Sequence, residues 1–171
     1  LTGLIAGRMT ETNKVGFIGG MESPVISKFD YGFRAGVKAA NPDAEVMVQY
    51  ANSFTDSALG KTIANQMHSK NADIIFTCAG AVGIGAIEAA KENGKKAIGV
   101  DQDQNALAPK NVITSAMKNI DVAVVELLSK VVDGSYKGGE VIINTLAMNG
   151  VGIPQSSEKN VPPDVLKYVI E

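Results

Sequence analysis

The sequence predicts an α/β fold, a doubly wound parallel sheet with helices on both faces, and three observations carry that expectation. Short runs of consecutive apolar residues alternate with stretches of helical periodicity almost from end to end. Strands that are apolar on both faces need cover on both faces, as in a parallel sheet between two helix layers. The helical stretches are bounded by start and stop residues, and right-handed crossovers then leave few topologies open.

The elements follow in order. Lys14 to Gly19 reads as a buried strand that runs into Gly20. Val25, Phe29, Phe33 and Val37, spaced by four, put one apolar face on a helix. Ser23 caps its start, Pro24 supplies a preset φ, and Asn41-Pro42-Asp43 stops it. Glu45 to Tyr50 is the second strand. A helix from about Asp56 then carries Leu59, Ile63 and Met67 on one side. Asp73 to Thr77 is the third strand and leads into Gly80-Ala81-Val82-Gly83-Ile84-Gly85, read as a glycine loop before a short helix to Glu92. Gly94 precedes the fourth strand, Ala97 to Val100, and Val112 to Ser115 is the fifth.

Composition bounds the function. Sixteen basic and eighteen acidic residues leave a net charge of −2, with no basic run interleaved with aromatics, so a nucleic-acid surface has no support. Cys78 is the only cysteine, which rules out a disulfide within the chain and a cysteine-based zinc site; it reads as inert core. His68, the only histidine, reads as a residue on a solvated helix face. No stretch approaches the ~20 apolar residues that span a bilayer. No serine has a nucleophile elbow, so no catalytic constellation is expected, and neither a cofactor nor a metal is called for.

Ligands in such sheets bind beyond the carboxyl ends of the strands. Those ends carry Gly20-Met21, Phe54, Gly80 to Gly85 and Asp101. The glycine segment has the spacing G-x-x-G-x-G and no Walker lysine, so a turn that lets backbone approach a ligand is favoured over a phosphate cradle. Asp101-Gln102-Asp103-Gln104 could touch Mg²⁺, but one carboxylate accepting two hydroxyls of a vicinal diol suits Asp101 better. Asp103 reads as a solvated turn residue. Phe54 sits in a polar stretch, either as a stacking platform or as a structural plug.

These residues together resemble the second lobe of the basic membrane lipoprotein family, whose best-known members are purine-nucleoside-binding lipoproteins of bacterial ABC importers. Lys14–Gly20 with Met21-Glu22 and Pro24-Val25-Ile26, Ser53-Phe54-Thr55-Asp56 with Gly60-Lys61, Ala79-Gly80 with Gly83 and Gly85, Ile98-Gly99-Val100-Asp101 with Asp103-Gln104, Thr114-Ser115 with Lys118, and Asn149-Gly150-Val151-Gly152 carry it. The resemblance covers essentially all 171 residues. It implies a type I periplasmic-binding-protein fold of two lobes with ligand closed between them. It also implies that Asp101 accepts ribose hydroxyls with Lys118 as its partner, and that Gly20, Met21, Phe54, Gly80 and Gly83 approach the rest of the ligand. Many relatives carry a Phe where this chain has Ala86-Ile87, which would alter recognition of the base.

The chain opens on Leu1-Thr2-Gly3 as if in mid-helix and reads as a fragment. Residues 1–13 are expected to lead from a first lobe, 14–117 to form the second, 118–139 to cross back as a helix, and 140–171 to return as strand, tail and helix. The 119–133 helix, with Ile120, Val124, Leu127 and Val131, is expected to show an apolar stripe and to associate or swap. The family implies an extracytoplasmic protein held by a lipid on an upstream cysteine and feeding an ABC importer permease. A cytoplasmic ligand-sensing regulator of the same fold, or a receptor for a flavin, is the alternative.

Overall fold

The computed structural model describes residues 1–170. Its elements are α1 (Thr2–Met9), β1 (Lys14–Gly19), α2 (Pro24–Ala40), β2 (Glu45–Tyr50), α3 (Ser57–Ser69), β3 (Ile74–Cys78), α4 (Ala81–Glu92), β4 (Lys96–Asp101), β5 (Val112–Lys118), α5 (Ile120–Val132), β6 (Val151–Gly152) and α6 (Pro163–Ile170). The sheet order is β2-β1-β3-β4-β5-β6. Every pairing from β2 through β5 is parallel, and only β6 runs antiparallel, against Met117 and Lys118. The order reverses between β1 and β3, which makes their carboxyl ends the topological switch point.

Alternation along the strands sorts the core into two layers. Val15, Phe17, Ile74, Phe76, Ile98, Val100 and Ile113 face α1, α2 and α6. Ile18 and Ile75 face α3 and α4. Phe17, Phe33 and Phe76 form an aromatic knot with centroids 5.2–6.3 Å apart, a spacing at which tilted and edge contacts add to burial.

The expected Ser23 cap is present, and Asp56 caps α3 as well. Ser23 Oγ accepts the Ile26 N–H at 3.3 Å with Pro24 in the first turn, and Asp56 Oδ1 accepts the Leu59 N–H at 2.9 Å. Each satisfies one of the orphan donors at a helix start.

α1 packs into the core of the lobe, with Ile5 and Ala6 fully buried. A Cβ on Gly3 would stand 2.2 Å from the Phe33 carbonyl oxygen, so glycine is what lets α1 lie against α2. Gly80–Gly85 is not a loop; α4 starts at Ala81, directly after Gly80. Gly85 is one of the contact points between α4 and α3, where a Cβ would lie 1.9 Å from the Ser57 carbonyl oxygen. β5 runs on from Ser115 to Lys118, long enough to bring that lysine to the sheet's carboxyl end.

From Lys118 the chain leaves the lobe and returns at Gly150. The two passes are stitched together: the Asn119 N–H donates to the Gly150 carbonyl at 3.0 Å, and Asn119 Nδ2 donates to the Asn149 carbonyl at 2.8 Å. Between them α5 buries none of its residues. The expected stripe of Ile120, Val124, Leu127 and Val131 is exposed, and so are Val125, Leu128 and Val132 on the flanks. No helix among the described residues is long and apolar enough to cross a membrane.

Candidate functional site

The carboxyl ends of β4 and β5 define the site. Asp101 pairs across with Met117, so Lys118 stands one residue further along the neighbouring strand. Lys118 Nζ reaches Asp101 Oδ1 at 2.8 Å and also lies 5.0 Å above the Phe29 ring. The ammonium is thus held by a carboxylate and an aromatic face together. Both charged side chains remain partly exposed, at 36% and 56%, so a ligand can reach them.

The turn behind Asp101 is fixed. Asp101 itself has φ +68°, a left-handed conformation that few non-glycine residues adopt. Gln104 braces it: its Oε1 accepts the Val100 N–H at 3.0 Å, and its own N–H donates to Ser115 Oγ at 3.1 Å. A Cβ on Gly99 would meet both of those side-chain oxygens at 2.6 Å, so glycine there makes room for the brace. Asp103 Oδ1 accepts the Asn105 N–H at 3.0 Å, the bond of a turn residue, as expected.

An open cleft of about 460 Å³ lies over this pair, lined by Gly80, Ile84, Val100, Asp101, Gln102, Gln104, Lys118, Ile120 and Asp121. That volume is in the range of small-molecule sites. Gly80, Asp101 and Lys118, expected from the sequence, meet here. Gly20, Met21 and Phe54 gather beside it at the switch point. The Phe54 ring crosses Gly20, where a Cβ would stand 2.1 Å from it, and the Phe54 carbonyl accepts the Ala81 N–H at 2.8 Å, next to Gly80. Phe54 is half-buried and packs against the core, so it shares features of both readings made of it. Met21 is exposed. Gly83 does not join the cleft. It is buried inside α4, with its Cβ position 2.9 Å from Thr77 Oγ1.

Sequence reasoning missed Ile84, Ile120 and Asp121 in the lining, and Phe29 beneath Lys118. Two further expectations are corrected. Ile87 is fully buried with Ala90, Ala97, Ala108 and Val112 and does not line the cleft. His68 is not on a solvated face. It is buried in the last turn of α3, with Nδ1 2.9 Å from the Ala72 carbonyl. Cys78 is buried as expected, and burial pushes its thiol up to about 12, so it stays protonated near neutrality.

Among the described residues no cluster of three metal-ligating side chains forms. The arrangement offers a carboxylate acceptor, an ammonium donor, a half-exposed aromatic and two exposed isoleucines. Such a set binds a small ligand with hydroxyls at one end and an apolar face at the other.

Comparison with known proteins identifies the family. The family model Bmp, described as ABC transporter substrate-binding protein PnrA-like, matches residues 1–170. Basic membrane protein A of Borreliella burgdorferi is 44% identical over 174 residues, covering all of this chain and 50% of the relative. The CD4+ T-cell-stimulating antigen of Listeria monocytogenes is 41% identical over 187 residues, covering all of this chain and 52% of its own length. The chain spans about half the length of the curated relatives it matches. Among solved structures, an ABC transporter solute-binding protein of Aeropyrum pernix superposes with a TM-score of 0.80 at 28% identity, over 98% of this chain and 54% of that one. A transcriptional activator of the comK gene from Bacillus halodurans reaches a TM-score of 0.88 at 24% identity, over 99% and 58%, a likeness of fold.

Proposed function

The chain belongs to the Bmp family of PnrA-like ABC transporter substrate-binding proteins, and from that premise we propose that the protein captures a nucleoside, of purine type, for an importer. Its architecture is that of the type I periplasmic binding proteins. The single observation that carries the ligand reading is the Asp101–Lys118 pair at 2.8 Å on the floor of an open cleft.

Two vicinal hydroxyls can donate to Asp101 while the Lys118 ammonium donates to one of their oxygens, a bonding set that a ribose satisfies. The base then extends toward Phe54, Gly80 and Gly20, where a half-exposed ring and close backbone can meet a flat heterocycle. Met21 sits at the outer edge of that surface. Gly83 supports the start of α4 and acts through Gly80. In the whole protein the first lobe closes over this face, a hinge motion that hands the permease a liganded shape. This reading places the protein outside the cytoplasmic membrane, held by a lipid anchor.

Calorimetric titration of the full-length protein with adenosine, guanosine, inosine, cytidine and riboflavin tests it. Purine nucleosides are expected to bind with Kd on the order of 1 μM or tighter, about −8 kcal/mol. Asp101→Ala is expected to weaken them at least tenfold to a hundredfold, the loss of a charge-assisted bond worth ~1.5–3 kcal/mol. A folded, ligand-free sample that gives no heat with any nucleoside overturns the cargo, and a response to riboflavin alone replaces it with a flavin.

A further inference from the structure

Two helices begin at the cleft. Gly80 caps α4 and Ile84 closes its first turn, while Ile120 and Asp121 open α5. Neither helix start has a side-chain cap bond. Each carries about half a positive charge, and Lys118 adds a full one. By themselves these groups would make the cleft a receptor for an anion such as phosphate.

Two carboxylates oppose them. Asp101 is already engaged with Lys118 at 2.8 Å. Asp121 is the other acidic residue of the lining, and it stands in the first turn of α5. It is the lining group left to offset the two helix starts. Ile84 and Ile120, exposed at 47% and 64% in the same lining, add apolar walls that cannot solvate a phosphate dianion.

We propose that Asp121 is a specificity-determining residue that keeps the cleft near neutrality, so that it admits uncharged hydroxyl-bearing ligands and refuses their phosphorylated forms. The assignment deepens the nucleoside reading and rests on it for the identity of the ligand, though not for the charge balance itself. In this assignment Asp121 needs no contact with a ribose. It acts through charge, and because it is exposed its effect weakens as salt is raised.

The test uses the full-length protein, its Asp121→Asn variant and the conservative Asp121→Glu variant. Inorganic phosphate is titrated first, with binding read from the amide resonances of the cleft. The parent and Asp121→Glu are expected to show no saturation in the millimolar range, whereas Asp121→Asn saturates, with a gain of about tenfold or more in phosphate affinity that raised salt suppresses. A nucleoside and its 5′-monophosphate follow, and the preference for the nucleoside is expected to shrink at least tenfold in Asp121→Asn. Equal phosphate behaviour in all three proteins overturns the proposal. So does an unchanged nucleoside-to-monophosphate ratio. If no nucleoside binds the parent, the ligand reading fails, and the phosphate titration still decides the role of Asp121.

Discussion

α4 and α5 are nearly equal in length, 12 and 13 residues, yet α4 buries seven of its residues and α5 buries none. Five of those seven buried residues are Ala or Gly, and the helix lies close against α3. The exposed one carries Ile120, Val122, Val124, Val125, Leu127, Leu128, Val131 and Val132. Apolar content therefore does not rank these helices by burial within the lobe. Small residues mark where backbones come close, and a largely apolar helix left exposed presents a surface that water covers poorly. Breaking the comparison means showing that α5 is indifferent to its exposure.

The largest effect should be on association. The chain comprising residues 1–171 is expected to self-associate in sedimentation velocity, its weight-average mass climbing with concentration. Val125→Glu combined with Leu128→Glu should return it to monomer with little change in melting temperature, because neither residue is buried in the lobe. A concentration-independent monomer before any substitution would mean that α5 tolerates water as it stands.

Truncation sharpens the same contrast. Phe76 is nearly fully buried and touches the rings of Phe17, Phe29 and Phe33. Phe76→Ala should cost ~3–5 kcal/mol in urea unfolding, the transfer and cavity terms together. Leu128→Ala, measured in the monomeric background, should stay within about 0.5 kcal/mol. Equal losses at the two sites would mean that α5 is packed in solution.

Glycine repeats the comparison on a smaller scale. Gly85→Ala drives a methyl group into the Ser57 carbonyl and should destabilise by ~1–3 kcal/mol. Gly138, in the excursion, has nothing within 4 Å of its Cβ position and no positive φ. Gly138→Ala should be neutral, or stabilise by up to ~1 kcal/mol through the unfolded chain. Differential scanning calorimetry of both variants reads the difference.

The layers were legible where periodicity is strong. Five strands follow from their apolar runs and the Ser23 cap from its place before Pro24, but the α2 stripe follows only in part: Phe33 and Val37 are buried and Phe29 partly so, whereas Val25 is exposed at 56% and Ile26 takes the inward place. α1 was not legible as core, because Gly3 and Gly7 replace a large apolar stripe and its burial depends on close approach to α2. Adjacent parallel strands explain how Asp101 and Lys118, 17 positions apart, come to share an ion pair. Their pairing as a ligand site came from resemblance, while the brace by Gln104 and Ser115 is visible only in space. Ile84 and Asp121 escaped because which residue of a helix start faces a cleft depends on the rotation of the helix about its axis. Reading Gly80–Gly85 as loop hid that start altogether.

His68 gives the smallest expected effect and tests the buried side of the comparison. It falls four residues after Ala64 and one after Met67, so it shares the inward face of α3, where spacing alone could have placed it. Burial lowers its pKa below the ordinary 6.5, helped by the nearby charge of Lys95 and opposed by its bond to the Ala72 carbonyl and by Asp73. Its Nε2 finds no hydrogen-bond partner among the described residues. The neutral ring is therefore the form the fold accommodates. Above pH 6.5 both folded and unfolded chains hold it neutral, and this residue adds no slope. As pH falls through 6.5 toward the lowered folded value, the unfolded chain binds a proton that the folded one refuses, so stability declines with acidity. Carboxylates act mainly at lower pH, and the difference between parent and His68→Gln isolates the histidine. Urea midpoints followed from about pH 8 to pH 5 should fall more steeply in the parent than in His68→Gln, with the two curves parallel at the alkaline end. Curves parallel throughout would mean that the ring takes up its proton as readily folded as unfolded, and that the last turn of α3 opens to water.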